Sequence, residues 1–102
     1  MKPVQVILNP YAGRGAGARA KESLVAALRG AGLDFDLTET TRPGHAHELA
    51  AAMRAEGCQT VVAAGGDGTV NEVLNGLAQA TPAGETIGRL APCPIGTGND
   101  FA

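Results

Sequence analysis

Thr60-Val61-Val62-Ala63-Ala64-Gly65-Gly66-Asp67-Gly68-Thr69 is the stretch from which the fold can be read. Its first half is an almost unbroken apolar run, without the polar alternation of a half-exposed strand. That is the pattern of a strand covered on both faces, as in a parallel sheet. Glycines and an aspartate follow at once. Val70, Val73, Leu74 and Leu77 then fall at helical spacing, predicting a helix over about Val70 to Ala80. A buried strand that passes through glycines into a helix is one step of a β-α-β unit, whose parallel strands need such a crossover.

The flanking sequence repeats the step. Val4–Leu8 is a short β-rich run ending at Asn9-Pro10, a turn signal. After a small-residue loop, Tyr11 to Gly17, the apolar positions Ala20, Leu24, Val25 and Leu28 predict a helix from about Ala18 to Arg29, stopped by Gly30 and Gly32. Phe35 and Leu37 alternate with polar neighbours, predicting a strand over Asp34–Thr38. Thr40 to Gly44 reads as a loop. Ala46, Leu49, Ala50 and Met53 then mark a helix over His45–Glu56, with Gly57 as its stop. Beyond the central stretch, Ile87–Ala91 is a fourth strand candidate, interrupted by Gly88 and Pro92. Strands alternating with helices predict an α/β fold, a Rossmann-like parallel sheet with flanking helices and right-handed crossovers.

Composition bounds the function. At 102 residues the chain holds one domain with a single modest core. Hydrophobic residues make up 44% and charged residues 18%, the balance of a globular rather than a disordered chain. A net charge of −2 gives no basic field for nucleic acid, and Tyr11, Phe35 and Phe101 are too scattered for a base-stacking platform. Tyr11 and Phe101 read as packing residues. Cys58 and Cys93 lie far apart in no metal-binding or disulfide spacing, which suits a reducing cytoplasm. No apolar stretch approaches the roughly 20 residues of a membrane span, so a soluble protein is expected.

Eight of the 15 glycines cluster after strands, in Asn9–Gly17, Gly65–Thr69 and Gly96–Asp100. Ligands of open parallel sheets bind beyond the carboxyl ends of the strands, where all three loops should open. Glycine lets backbone amides approach a ligand, and amides near a helix amino end attract phosphate. Thr69 and Thr97 add hydroxyls. The central loop lacks the lysine of GxxxxGK(S/T) and the GxGxxG spacing, which excludes a Walker loop and a dinucleotide fingerprint. Asp67 beside phosphates would hold Mg²⁺ through water, orient a substrate hydroxyl or brace the turn. Asn71 and Glu72 fall in the expected first helical turn, where capping and dipole effects explain them as well as ligand contact does. Arg14 reads equally as a phosphate contact or a solvated loop residue. His45 and His47 read as a surface pair at a helix start.

These loops resemble a known family. Asn9-Pro10-Tyr11-Ala12-Gly13-Arg14-Gly15 resembles the NPxAGxG opening of diacylglycerol kinase catalytic domains. Gly65-Gly66-Asp67-Gly68-Thr69-Val70-Asn71-Glu72-Val73 is similar to the GGDGTxNEV block shared by diacylglycerol kinases, sphingosine kinases and bacterial lipid kinases. Pro94-Ile95-Gly96-Thr97-Gly98-Asn99-Asp100-Phe101-Ala102 resembles their PxGTxNDFA block, and Thr40 through Ala46 resembles the exit of their second strand.

The resemblance implies a two-domain enzyme whose N-terminal α/β domain is similar to those of NAD kinase and phosphofructokinase. Residues 1–102 would be that ATP-binding domain. A C-terminal β-rich domain, absent from this chain, would supply the general base and the Mg²⁺ ligands. Carried over, the nucleotide contacts are Asn9, Gly13, Thr40, Gly65, Gly66, Asp67, Gly68, Thr69, Val70, Asn71, Glu72, Thr97 and Asn99, with Asp67 also the catalytic candidate. The implied activity is transfer of the γ-phosphate of ATP to a lipid hydroxyl, with ATP and Mg²⁺ as cofactors. The implied partners are a nucleotide, a lipid substrate, a membrane surface touched transiently by a cytoplasmic protein, and in some forms a homodimer. An NAD-kinase-like phosphotransferase and a non-catalytic nucleotide-binding module are the alternatives.

Overall fold

A computed structural model describes residues 1–95 of the chain. Strands and helices alternate throughout: β1 (Val4–Leu8), α1 (Ala12–Gly30), β2 (Phe35–Glu39), α2 (His45–Ala55), β3 (Thr60–Gly65), α3 (Asp67–Gln79) and β4 (Arg89–Pro94). The strands form one parallel sheet in the order β2-β1-β3-β4. This is the expected α/β architecture.

The order explains the layers. From β1 the chain steps one way to β2, then crosses back over β1 to β3 and continues to β4. Right-handed crossovers that reverse direction must use opposite faces of the sheet. Accordingly α1 covers one face, where Val4, Val6, Leu8, Val62 and Ala64 pack with Leu24. On the other face Ile7, Val61 and Ala63 pack against Ala46, Ala50 and Met53 of α2 and Val73 and Leu77 of α3. The central strands β1 and β3 therefore feed both cores, which is why they read as continuous apolar runs. Gly76 of α3 lies where an added Cβ would strike the His47 carbonyl of α2, so the two helices approach closely there. The reversal also opens a crevice between the carboxyl ends of β1 and β3, where such sheets bind ligands.

Four elements begin elsewhere than expected. Regular helix in α1 sets in at Ala16 rather than Ala18, after Gly13, Arg14 and Gly15 in left-handed conformations. Strand β2 runs one residue later than expected, Phe35–Glu39. Helix α3 begins at Asp67, not Val70, because the glycine-containing segment Asp67-Gly68-Thr69 is its first turn. Strand β4 runs over Arg89–Pro94 instead of Ile87–Ala91, and two prolines lie within it. They are tolerated because β4 is an edge. The Arg89 amide donates to Gln59 O at 2.7 Å and the Ile95 amide to Gly65 O at 2.9 Å. Strand alternation then turns positions 92 and 94 outward, where no ladder donor is required.

Candidate functional site

The backbone ladder runs one residue past three of the strands. The Asn9 amide donates to Ala64 O (2.9 Å), Thr40 to Leu8 O (2.8 Å) and Ile95 to Gly65 O (2.9 Å). Each loop at the carboxyl edge thus leaves from a fixed point.

Asn9 ties the first loop to the third helix. Its Nδ2 donates to Thr69 Oγ1 at 3.2 Å, and its Oδ1 accepts the Tyr11 amide at 2.9 Å. Thr69 is only 6% exposed, so the bond bridges the crevice from beneath. The chain needs glycine at 65 for this contact: a Cβ there would lie 2.5 Å from Thr69 Oγ1 and 2.7 Å from Thr69 Cβ.

The amino end of α3 faces the crevice. Gly66 is its extended N-cap and provides no side-chain cap. Thr69 and Val70 both donate to Gly66 O, at 3.1 and 3.2 Å. The amides of Asp67 and Gly68 have no partner among the described residues. At Gly68 an added Cβ would meet nothing within 4 Å, and at Gly66 only Ile95 O at 3.8 Å. Free amides at a helix start with open space before them suit an anion.

Two clefts flank this helix start. One, of about 350 Å³, is lined by Asn9, Tyr11, Thr40, Thr41, Arg42, Pro43, Ala46, Thr69 and Glu72. The other, of about 300 Å³, is lined by Gly65, Gly66, Asp67, Val70, Asn71, Leu74, Pro92 and Pro94. Most of the expected contacts therefore gather around the start of α3, but in two groups. Asn9, Thr40, Thr69 and Glu72 stand in the first, and Gly65, Gly66, Asp67, Val70 and Asn71 in the second. Val70 also packs against the core of the α2–α3 face. Gly13 lines neither cleft. It begins a left-handed run with Arg14 and Gly15, and among the described residues Arg14 is the non-glycine residue with positive φ, at 57°. Thr97 and Asn99 lie outside the described residues, as does Phe101.

The earlier start of α3 moves Asn71 and Glu72 into its second turn, so capping does not account for them. Asp67 is the first-turn carboxylate, favourable toward the helix dipole. It is exposed and makes no hydrogen bond or ion pair among the described residues, so nothing there shows it bracing the turn. Among the described residues no group of three or more His, Cys, Asp or Glu converges to hold a metal.

Other side chains at this edge escaped the sequence reading. Tyr11 is not a packing residue: it is 67% exposed at the mouth of the first cleft. Arg42 is gripped by both carboxylate oxygens of Glu48, at 2.5 and 2.9 Å. That contact pulls Glu48 below the usual carboxylate range and raises Arg42. The pair spans six residues across a loop–helix junction, where no sequence pattern announces it. His45 accepts the Thr41 amide on Nδ1 at 3.0 Å, fixing the loop before α2, while His47 bonds Gln79 across to α3. Both histidines are half-buried positioning residues.

Comparison with known proteins follows the same lines. The pattern of the diacylglycerol kinase catalytic domain matches residues 3–102. A "Probable lipid kinase YegS-like" of Xanthomonas campestris is 45% identical over 78 residues, 76% of this chain and 25% of that protein. A diacylglycerol kinase of Bacillus subtilis is 35% identical over the whole chain and 32% of its own length. Sphingoid long-chain bases kinase 1 of Arabidopsis thaliana is 40% identical over 71% of this chain and 10% of that protein. A solved diacylglycerol kinase structure from Bacillus anthracis superposes with a TM-score of 0.74 at 35% identity, covering 98% of this chain and 33% of that one. The chain thus spans between a quarter and a third of the bacterial relatives it matches. With the fold, the loop order and a match over residues 3–102 in agreement, the chain belongs to the diacylglycerol kinase catalytic domain family.

Proposed function

We propose that residues 1–102 form the nucleotide-binding part of an ATP-dependent lipid kinase, which moves the γ-phosphate of ATP to a lipid hydroxyl. The observation that supports this reading is the amino end of α3, at the crevice between β1 and β3: among the described residues the amides of Asp67 and Gly68 have no partner and the space over Gly68 is open.

The residues divide the work. The α3 amides and the dipole behind them would hold the phosphates. Asn9 keeps the first loop against Thr69, so both loops present one surface to the phosphate chain. Thr40 and Glu72 line the cleft that would take the rest of the nucleotide. Asp67, free of other bonds among the described residues, would orient the acceptor hydroxyl or hold a metal-bound water. Bound Mg²⁺ would neutralise phosphate charge as transfer proceeds. Its protein ligands and the general base would come from a C-terminal domain outside this chain. Phosphoryl transfer depends on positioning and charge stabilisation together. The isolated chain should therefore bind nucleotide weakly and transfer nothing, and γ-phosphate transfer by the purified chain would overturn that division. We place the complete protein in the cytoplasm, meeting its lipid at the membrane surface, as a monomer or homodimer. No helix among the described residues is long and apolar enough to cross a membrane.

The complete gene product should be incubated with γ-labelled ATP, Mg²⁺, a mixed lipid extract and NAD, then split between phases. Label in the organic phase is the expected result. Label confined to the aqueous phase refutes lipid phosphorylation, and label on NADP transfers the reading to NAD-kinase-like chemistry.

A further inference from the structure

The loop between β2 and α2 is closed by a side chain that can change charge. Its backbone leaves the sheet at Thr40, whose amide is fixed to Leu8 O at 2.8 Å. It enters α2 through Gly44, a left-handed N-cap without a side chain to cap the helix. Between these points the Thr41 amide has no backbone acceptor among the described residues, and donates instead to Nδ1 of His45 at 3.0 Å. An imidazole nitrogen accepts from an N–H only while it carries no proton itself. The contact therefore selects the neutral ring with its hydrogen on Nε2. Thr41 Oγ1 stands 3.3 Å from the same nitrogen. Protonation would make Nδ1 a donor facing a donor, so the amide bond would be lost. The hydroxyl oxygen beside it could then accept instead.

We propose that His45 is a pH-sensitive latch: its bare Nδ1 holds the Thr41 amide, and protonation exchanges that bond for one from Nδ1–H to Thr41 Oγ1, releasing the loop backbone. The charges around it leave His45 as the group that switches. Arg42 on the loop is held by two bonds to Glu48 of α2. That pairing keeps Glu48 below the usual carboxylate range, so the pair stays ionised where imidazoles titrate. Glu39, at the end of β2, is paired with Lys21 of α1 at 2.9 Å. Glu72 of α3 lines the same cleft as Thr41, and β1 carries no charged residue. Carboxyl groups and imidazoles titrate in separate ranges, about pH 4 against about pH 6.5. His47 donates its Nε2–H to the Gln79 side-chain oxygen, a bond that either charge state of the ring can make. Thr41 and Arg42 line the cleft of about 350 Å³, so the latch shapes one wall of it whatever the cleft holds.

The test is NMR of the complete gene product, labelled with nitrogen-15 in threonine and histidine and titrated from about pH 8 to about pH 5. Thr41→Ser identifies the Thr41 amide by removing its signal. At the alkaline end the His45 ring should carry its proton on Nε2 and leave Nδ1 bare. The Thr41 amide should then shift with the same midpoint as that ring. Its exchange with solvent, corrected for the intrinsic effect of pH, should quicken about two- to tenfold, as expected for one ordinary hydrogen bond. His45→Phe should abolish the titration of the Thr41 amide, and His47→Gln should leave it as in the wild type. A proton on Nδ1 at the alkaline end, or a Thr41 amide that ignores the titration of the ring, overturns the latch. A shift with unchanged exchange reports only a nearby charge and overturns the release of the loop. A titration that survives in His45→Phe, or vanishes in His47→Gln, assigns the effect to another group. The wild-type titration decides even where His45→Phe fails to fold.

Discussion

Replacing Gly68 by alanine separates what the fold needs from what a ligand needs. Gly68 is the second residue of α3, in ordinary helical conformation, and an added Cβ would meet no atom of the described residues within 4 Å. Glycine costs a helix about 0.5–1 kcal/mol relative to alanine, so Gly68→Ala should stabilise the chain by up to that amount. For a domain of this size about 1 kcal/mol corresponds to roughly 4–8 °C in Tm. The same methyl group would occupy the space through which a phosphate oxygen reaches the α3 amides. Loss of one hydrogen bond to a charged group is worth about 1.5–3 kcal/mol, hence a fall of about tenfold to a hundredfold or more in ATP affinity. The expected signature is therefore a higher Tm with weaker binding, read by scanning calorimetry and by ATP titration of the same sample. Gly65→Ala gives the contrast. Its Cβ would press into Thr69, and overpacking of that kind typically costs about 1–3 kcal/mol. Wild-type ATP affinity in the stabilised Gly68→Ala variant would remove the α3 amino end from the phosphate site. A lowered Tm would instead show that the space over Gly68 is filled.

Two further outcomes follow from the backbone and the charges. Arg14 holds a positive φ of 57° between two glycines, a conformation that costs a side-chain-bearing residue about 1–2 kcal/mol. Arg14→Gly should raise the unfolding free energy by about 1 kcal/mol once the extra freedom of glycine in the unfolded chain is subtracted, and weaken ATP binding if the guanidinium meets phosphate; unchanged denaturant stability refutes the strain. Glu48 and Asp36 are held below their ordinary values, Glu48 by Arg42 and Asp36 by hydrogen bonds from Gln5 and the Lys2 amide. A depressed carboxylate contributes stability above its unfolded pKa and loses it as pH falls through the folded value. Wild type and Glu48→Gln should therefore differ at neutral pH and converge below about pH 4, by a small margin because the pair is exposed and screened by salt. A difference that persists unchanged to pH 2 would contradict the ionic origin.

The fold was legible because the central strands announce themselves. Val4–Leu8 and Thr60–Ala64 are buried on both faces, and that burial writes an apolar run no surface strand would carry. What was not legible depended on position in three dimensions. Asp67-Gly68-Thr69 contains glycine and reads as loop, yet packing of Val73 and Leu77 carries the helix back through it. Pro92 and Pro94 read as strand breakers, and only the edge location of β4 makes them harmless. Among the candidate site residues, the glycine block is marked by its place after a strand, while Thr40 reads as a turn residue and joins the candidates through family likeness alone. Tyr11 reads from the sequence as a packing residue, yet it is 67% exposed. Its backbone amide is held by Asn9 Oδ1, a contact that sequence alone does not display.

The clamped starts of the loops bear on how the site works. Asn9 and Thr69 are 60 residues apart, and their bond would be costly to form if either loop were free to wander. It is not costly here, because the ladder fixes Asn9 to Ala64 and β3 runs directly into the helix that carries Thr69. The amide array and the first loop are therefore held in mutual position by this chain's own core, before any ligand arrives. Ordering paid in advance is not charged against binding. If the phosphate support is complete within these residues, the proposed C-terminal domain need add only an acceptor pocket, the Mg²⁺ ligands and a base. That separation predicts that substitutions at Asn9 or Thr69 weaken nucleotide binding by the chain and by the complete protein to the same degree. A loss seen in the complete protein alone would mean that the support is assembled between domains rather than within this one.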